Sequence, residues 1–111
     1  MITLNRQPGQ RVLELGGGAN PLVNPACMNK GGVDCNVDAR MCHNAAGEQT
    51  VDFVADFNQP LPIKDGDFDH VFSHFCLEHL SFHKVKDLLR EVYRVLKWQG
   101  QAVFTVPNTE A

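Results

Sequence analysis

Val12-Leu13-Glu14-Leu15-Gly16-Gly17-Gly18-Ala19-Asn20-Pro21 decides how this chain of 111 residues is read. An apolar run reaches an acid, then a glycine cluster, then an Asn-Pro pair suited to starting a helix. A buried parallel strand hands the chain in this way to a turn that lies close against a ligand. Glycine permits positive φ and has no Cβ to hold a ligand off the backbone. The spacing Gly16-x-Gly18-x-Asn20 lacks the third glycine of a dinucleotide fingerprint, and no Gly-Lys-Ser/Thr ending follows as in a P-loop. Taken alone, the glycines also fit an ordinary strand-to-helix turn. The acid before them weighs against that, because a carboxylate at Glu14 repels phosphate and suits a ligand carrying positive charge.

Outward from this stretch, apolar runs alternate with polar loops. Arg11 to Leu15 reads as the first strand. Asn20 to Lys30 is rich in Pro, Asn and small residues, so a helix there is short or irregular. Gly32 to Val37 reads as a second strand ending at Asp38, and Met41 to Thr50 as a loop or a poor helix. Val51 to Ala55 forms a third strand ending at Asp56, and Gln59 to Asp67, with two prolines and a Lys-Asp-Gly turn, is a loop. Phe68 to Ser73 is the fourth strand. Ser81 is a candidate N-cap for a helix running to about Lys97, whose Val85, Leu88, Leu89, Val92 and Leu96 keep helical spacing. Gly100 stops that helix, and Ala102 to Val106 makes the fifth strand.

This alternation predicts an α/β fold with an open, mostly parallel sheet in the order 3-2-1-4-5, flanked by helices. Ligands in such sheets sit beyond the carboxyl ends of the strands. Glu14, Gly16, Asp38, Asp56 and Ser73 all fall at or just after strand ends. Their convergence from four strands says more than any one of them.

Composition bounds the function. The length favours one small domain, and 43% hydrophobic with 21% charged residues argues against disorder. A net charge of −3 leaves no footprint for nucleic acid or an anionic membrane. No apolar run approaches the roughly 20 residues that span a bilayer, and the N-terminus lacks the apolar core of a signal peptide. A cytoplasmic protein is expected. Cys27, Cys35, Cys42 and Cys76 form no C-x-x-C pair, so reduced thiols are favoured over disulfides. Zinc at Cys35, Cys42 and His43 fits no common structural spacing. A metal cluster at His74, Glu78, His79 and His83 is outweighed by a strand end followed by a loop rim. No metal is expected.

From about Val12 to Asn108 the chain resembles the class I S-adenosylmethionine-dependent methyltransferases with a Rossmann-like fold. The match is closest to the branch with Asn-Val-Asp after the second strand and Leu-Glu-His after the fourth. The motifs, in order, are Leu13-Glu14-Leu15-Gly16-Gly17-Gly18, Asn36-Val37-Asp38, Val54-Ala55-Asp56-Phe57, Pro60-Leu61-Pro62, Phe68-Asp69-His70-Val71, Leu77-Glu78-His79-Leu80, Arg94-Val95-Leu96-Lys97 and Val106-Pro107-Asn108. Each is weak alone; in this order and spacing they are highly specific.

The resemblance implies S-adenosylmethionine as cofactor and assigns roles. The turn Gly16, Gly17 and Gly18, followed by Asn20, would let the methionine end lie against the backbone, with Glu14 meeting its ammonium. Asp38, twenty residues after Gly18, would accept the ribose hydroxyls; Asp34 is the runner-up. Asp56 would accept the adenine amino group and the Phe57 N–H would serve a ring nitrogen. Ser73 or His74 would close the pocket near the methionine amine through backbone carbonyls. No catalytic residue is named, since such transfer rests on alignment and desolvation; Glu78 and His79 lie toward the acceptor side.

Two departures from the family stand out. The turn usually written Lys-Pro-Gly-Gly is here Lys97-Trp98-Gln99-Gly100. Family members also continue with two more strands and their helices, which often help contact the methyl acceptor, whereas this chain stops just after the fifth strand. The resemblance therefore implies a short or truncated form, with a homodimer or a partner chain covering the fifth-strand edge. Two functions follow: methyl transfer to an unidentified small-molecule or macromolecular acceptor, or a non-catalytic module that holds the cofactor or its demethylated product and acts through a partner.

Overall fold

A computed structural model of the protein describes residues 7–21, 34–74 and 80–105. Val12–Leu15 forms β1, and all four of its side chains are buried, as in a strand covered on both faces. β2 (Asp34–Asp38) and β4 (Phe68–His74) lie parallel on either side of it, with Leu13 opposite Cys35 and Val71. β3 (Phe53–Val54) pairs with β2, and β5 (Leu96–Thr105) pairs with β4. The order is β3-β2-β1-β4-β5, all parallel, as expected from the sequence.

Alternating Cβ directions give the sheet two unlike faces. Leu13, Leu15, Cys35, Val37 and Val71 share the main core with Phe57, Leu61, Leu88 and Val92. On the other face the register aligns Glu14 with Asn36 and with Phe72, and all three are buried. A carboxylate and a carboxamide in the middle of a covered sheet need partners, because burying them unpaired is costly.

The helix α1 (Phe82–Val95) covers the core face through Leu88, Val92 and Val95. Ser81 occupies the N-cap position, but its hydroxyl makes no capping bond; its carbonyl accepts the Val85 N–H at 3.0 Å. Two expectations fail here. Leu89 is 42% exposed, and Leu96 belongs to β5 rather than to the helical stripe. The helix ends at Val95 because Leu96 turns extended to pair with Phe68, not because of Gly100. The carbonyls of Arg94 and Val95 are taken by the Gly66 and Asp67 amides at 2.9 and 2.8 Å, so the loop before β4 caps the helix.

β5 thus starts earlier than Ala102. Leu96 faces Phe68, Lys97–Gly100 bulges out, and pairing resumes with Gln101 opposite His70. Gln99 adopts φ 64°, left-handed at the position where the family pattern has glycine, at a cost of roughly 1–2 kcal/mol. Gly100 lies inside β5, where an added Cβ would stand 2.8 Å from the Lys97 carbonyl oxygen. β3 is shorter than Val51–Ala55, because the Asp52 side chain, not a strand carbonyl, takes the Asn36 N–H at 2.7 Å. Arg11 falls just outside β1, its N–H bonded to the Asp69 carboxylate at 2.9 Å. The proposed helix after Asn20, the start of the second strand at Gly32, and Val106 lie partly or wholly outside the described residues.

The loop after β3 is pinned to α1 by one side chain. Arg94 donates to the Ile63 and Leu61 carbonyls at 2.7 and 3.1 Å, to Asp65 at 2.8 Å and to both carboxylate oxygens of Glu91. Glu91 in turn accepts the Leu61 N–H at 2.7 Å. The Arg94 hydrogen bonds, chiefly, hold the Glu91 carboxyl below its ordinary pKa. Its contribution is therefore complete above about pH 4.3, the ordinary glutamate value, and is lost as pH falls through the lowered folded value. Arg94→Ala is expected to remove about 2 kcal/mol from the unfolding free energy at pH 7, measured by urea denaturation. In Glu91→Gln, stability should decline less steeply than in the wild type as pH falls below about 4.3.

Candidate functional site

Parallel pairing sets the strand ends in one row. Leu15 faces Val37 and Ser73, Val37 faces Phe53, and Ser73 faces Phe104. Gly16, Asp38, Asp56 and His74 therefore lie along one carboxyl edge, with Glu14 buried one residue back from it. Asp34 is at the opposite end of β2, across from Val12, where it accepts the Val12 N–H at 3.3 Å. Four residues of strand, about 13 Å, separate it from Asp38. Asp34 is thereby removed from the carboxyl edge.

The glycine turn is held from β2. The Gly16 N–H donates to the Val37 carbonyl at 2.7 Å, the Gly17 N–H to Asn36 Oδ1 at 2.9 Å, and the Gly18 N–H to Asp38 Oδ2 at 2.8 Å. Gly16 and Gly18 take φ of 74° and 62°, a conformation that disfavours other residues. Gly17 has a different reason: a Cβ there would lie 2.6 Å from Asn36 Oδ1 and 2.8 Å from Glu14 Oε2. A Cβ on Gly18 would meet only Asp38 Oδ2, at 3.9 Å, so the turn is open on that side.

This geometry decides what the turn can hold. Phosphate is bound in glycine loops by backbone N–H groups left free to point at it. Here the three consecutive amides are already committed to β2. Beside the turn stand two carboxylates, Asp38 at the edge and the buried Glu14 just behind it, and both are acceptors. Asp38 Oδ1 also takes the Ala39 N–H at 2.6 Å, and a carboxylate with about four acceptor positions retains room for hydroxyl donors. Ammonium, sulfonium and hydroxyl groups suit such a set; a pyrophosphate does not. The residues fit S-adenosylmethionine.

The other expected residues are placed as follows. Asp56 is exposed; its Oδ1 accepts the Asn58 N–H at 2.8 Å, so it caps the turn that leads to the loop. The Phe57 side chain is buried in the core. Ser73 is fully buried and its hydroxyl donates to the Leu15 carbonyl at 3.2 Å, tying β4 to the end of β1. His74 Nδ1 pairs with the Thr105 hydroxyl at 2.6 Å and its ring stacks on Phe72. Asn20 is exposed beyond the turn. Glu78 and His79 lie outside the described residues.

Two residues escaped the sequence reading. Thr50, fully buried, donates from Oγ1 to the Gly18 carbonyl at 2.9 Å. It is delivered by the 41–50 excursion, which is closed by an isolated bridge between His43 and Gln49. Asn36 appeared only within the Asn-Val-Asp motif, yet it holds both Gly17 and Thr50. The available signal was an amide in the middle of an otherwise apolar strand. Cys35 is in the core, where burial pushes its thiol pKa up. Among the described residues no three His, Cys, Asp or Glu side chains gather as a metal site needs. A hollow of about 500 Å³ opens beside Tyr93, Leu96 and Trp98 near the start of β5, away from the carboxyl edge.

A methyltransferase-domain family model matches residues 13–104. The chain belongs to that family. S-adenosylmethionine is accordingly its cofactor. Among solved structures, the chain is similar to the YcgJ protein of Bacillus subtilis, with 23% identity and a TM-score of 0.65 over 90% of this chain and 45% of that one. It is similar to the methyltransferase CalH, crystallised with SAH, with 17% identity and a TM-score of 0.61 over 87% of this chain and 32% of that one. An arsenic(III) S-adenosylmethionine methyltransferase from Chlamydomonas reinhardtii gives 24% identity and a TM-score of 0.57, over 86% and 38% respectively. At these identities the likeness shows the fold. The chain spans less than half the length of each of these relatives. No curated protein matches the sequence.

In this methyltransferase-family domain, Asp38 stands at the carboxyl edge of the sheet and Asp34 at the far end of the same strand. Asp38→Ala is expected to weaken S-adenosylhomocysteine binding tenfold or more, and Asp34→Ala by less than about threefold, in titration calorimetry. The reverse order would move the site off the carboxyl edge.

Proposed function

We propose that this chain binds S-adenosylmethionine at the carboxyl edge of its sheet and transfers the methyl group to an acceptor nucleophile. The observation that carries the proposal is the glycine turn whose amides are all engaged by β2 beside two carboxylates. It favours a cationic, hydroxyl-bearing ligand over a dinucleotide, and so over nicotinamide-dependent oxidoreduction. The family match supports the same reading.

When bound, the cofactor supplies a methyl on a positively charged sulfur, which a nucleophile can displace in one step, leaving a neutral thioether. The chain's own task is to bind and orient. Glu14 would hold the ammonium end against the turn, Asp38 the ribose hydroxyls, and Asp56 with the Phe57 N–H the adenine. The backbone carbonyls at Ser73 and His74 would bound the pocket on the β4 side. Alignment and exclusion of water supply most of such catalysis, so no acid or base is assigned. The acceptor is a small molecule or a macromolecule. The proposal includes a cytoplasmic setting, in keeping with the free thiols of Cys35 and Cys42; among the described residues no helix is long and apolar enough to cross a membrane.

Binding is the first test. Calorimetry should give a micromolar dissociation constant for S-adenosylhomocysteine, about −8 kcal/mol, and no heat with NADH. NADH binding without a response to S-adenosylhomocysteine would overturn the assignment. Transfer is then read as tritium released from labelled cofactor onto a panel of acceptors.

The proposal extends to assembly. β5 is an edge strand, its Gln101–Thr105 segment has no charged side chain to guard it, and Tyr93 and Trp98 nearby are more than four-fifths exposed. A second copy of the chain, or a partner chain, would cover that edge. Sedimentation across a concentration series is expected to show self-association, most simply as a twofold dimer. A folded, cofactor-binding monomer at high micromolar concentration would refute it.

A further inference from the structure

Asn36 is an unusual residue for its place. It sits in the middle of β2 with none of its surface exposed, between Cys35 and Val37, at a position that packing alone would fill with an apolar side chain. A buried carboxamide is tolerated only when its hydrogen bonds are made. Here they are made to the glycine turn and its support. Oδ1 accepts the Gly17 N–H at 2.9 Å; Nδ2 donates to the Thr50 carbonyl at 2.7 Å and reaches the Gly18 carbonyl at 3.4 Å. Its backbone is fixed as well, through two bonds with Asp52. The space over its carboxamide is so close that Gly17 has no room for a Cβ.

We infer that Asn36 is a positioning residue for the cofactor: acting through Gly17 and Gly18, it sets the turn against which the methionine end lies. The inference rests on the reading of that turn as the cofactor site. Without Asn36 the Gly17 amide loses its acceptor, the Gly18 carbonyl keeps only the Thr50 hydroxyl, and the turn is free to leave the geometry that brings its backbone to the ligand. Asn36 also joins the turn to the 41–50 excursion, because the same side chain bonds Gly17 and Thr50. The affinity of the site therefore depends on a loop at the edge of the sheet.

The experiment combines calorimetry with S-adenosylhomocysteine and amide hydrogen exchange by NMR on the full chain. Asn36→Ala is expected to weaken binding about tenfold, as the loss of two buried hydrogen bonds implies. It should also speed exchange of the Gly17 and Gly18 amides well beyond any change at Leu13 or Val71 in the core. Gly17→Ala should be similarly damaging. The pair should be partly non-additive, because truncating Asn36 removes its Oδ1 and Cγ, two of the three atoms that a Cβ at Gly17 would strike, while Glu14 Oε2 stays at 2.8 Å. Thr50→Val, which leaves Asn36 in place, should weaken binding about threefold and covers the case in which Asn36→Ala does not fold. Affinity within twofold of the wild type in Asn36→Ala, or fully additive effects of the two substitutions, would overturn the inference. If the wild type itself fails to bind, the functional reading falls, while the exchange of Gly17 still reports whether Asn36 holds the turn.

Discussion

The amides of Gly16, Gly17 and Gly18 all point at β2, and the rest of the site depends on that attachment. A turn after a buried strand has several conformations open to it, and a run of three glycines has more than most. Three hydrogen bonds to Val37, Asn36 and Asp38, with a fourth from Thr50 to the Gly18 carbonyl, leave one. The attachment also spends the donors that would otherwise make the turn an anion site. The same bonds therefore give the turn its shape and set the charge preference of what lies against it.

The opposite end of the sheet is organised by another polar cluster. Arg94 and Glu91 fasten the loop that carries Leu61 and Ile63 to α1, and the amides of Gly66 and Asp67 finish the helix. Arg11 lies over the Phe68 ring and pairs with Asp67, closing the start of β4. These contacts set where β4 begins, and through the register with β1 they place Ser73 and His74 at the carboxyl edge of the sheet. The two ends are coupled by a sheet with no slack between them: β1 is four residues long and buried throughout.

Asp38 shows how one side chain can shape a turn and still keep acceptor positions open. Its two oxygens each accept a backbone amide, from Gly18 and from Ala39, and so help to build the turn. Its remaining acceptor positions are left for hydroxyl donors. Ser73 differs: its hydroxyl is committed to the Leu15 carbonyl and ties β4 to the end of β1. Glu14 is 3% exposed, a carboxylate kept almost out of water next to Gly17. An ammonium group meeting it there would interact through a lower dielectric than at the surface.

The order of apolar runs and loops was enough to read the sheet topology, because right-handed crossovers leave a βα chain of this kind few alternatives. The strand ends were legible from acids and glycines, since those residue types interrupt an apolar run wherever it leaves the core. The bounds of the helix and the fifth strand were not. Val95 rather than Leu96 closes the helical stripe, because the pairing of Leu96 with Phe68 outweighs the local preference to continue. Gly100 reads in the sequence as a helix stop, whereas in the fold it permits a close backbone approach within β5. Asp34 and Asp38 are alike in sequence, each an acid beside an apolar residue; only the register against β1 separates them by the length of the strand. Asn36 and Thr50 lie fourteen residues apart and meet under the turn. Their partnership is a long-range hydrogen bond, and neither periodicity nor propensity along the chain carries a trace of it.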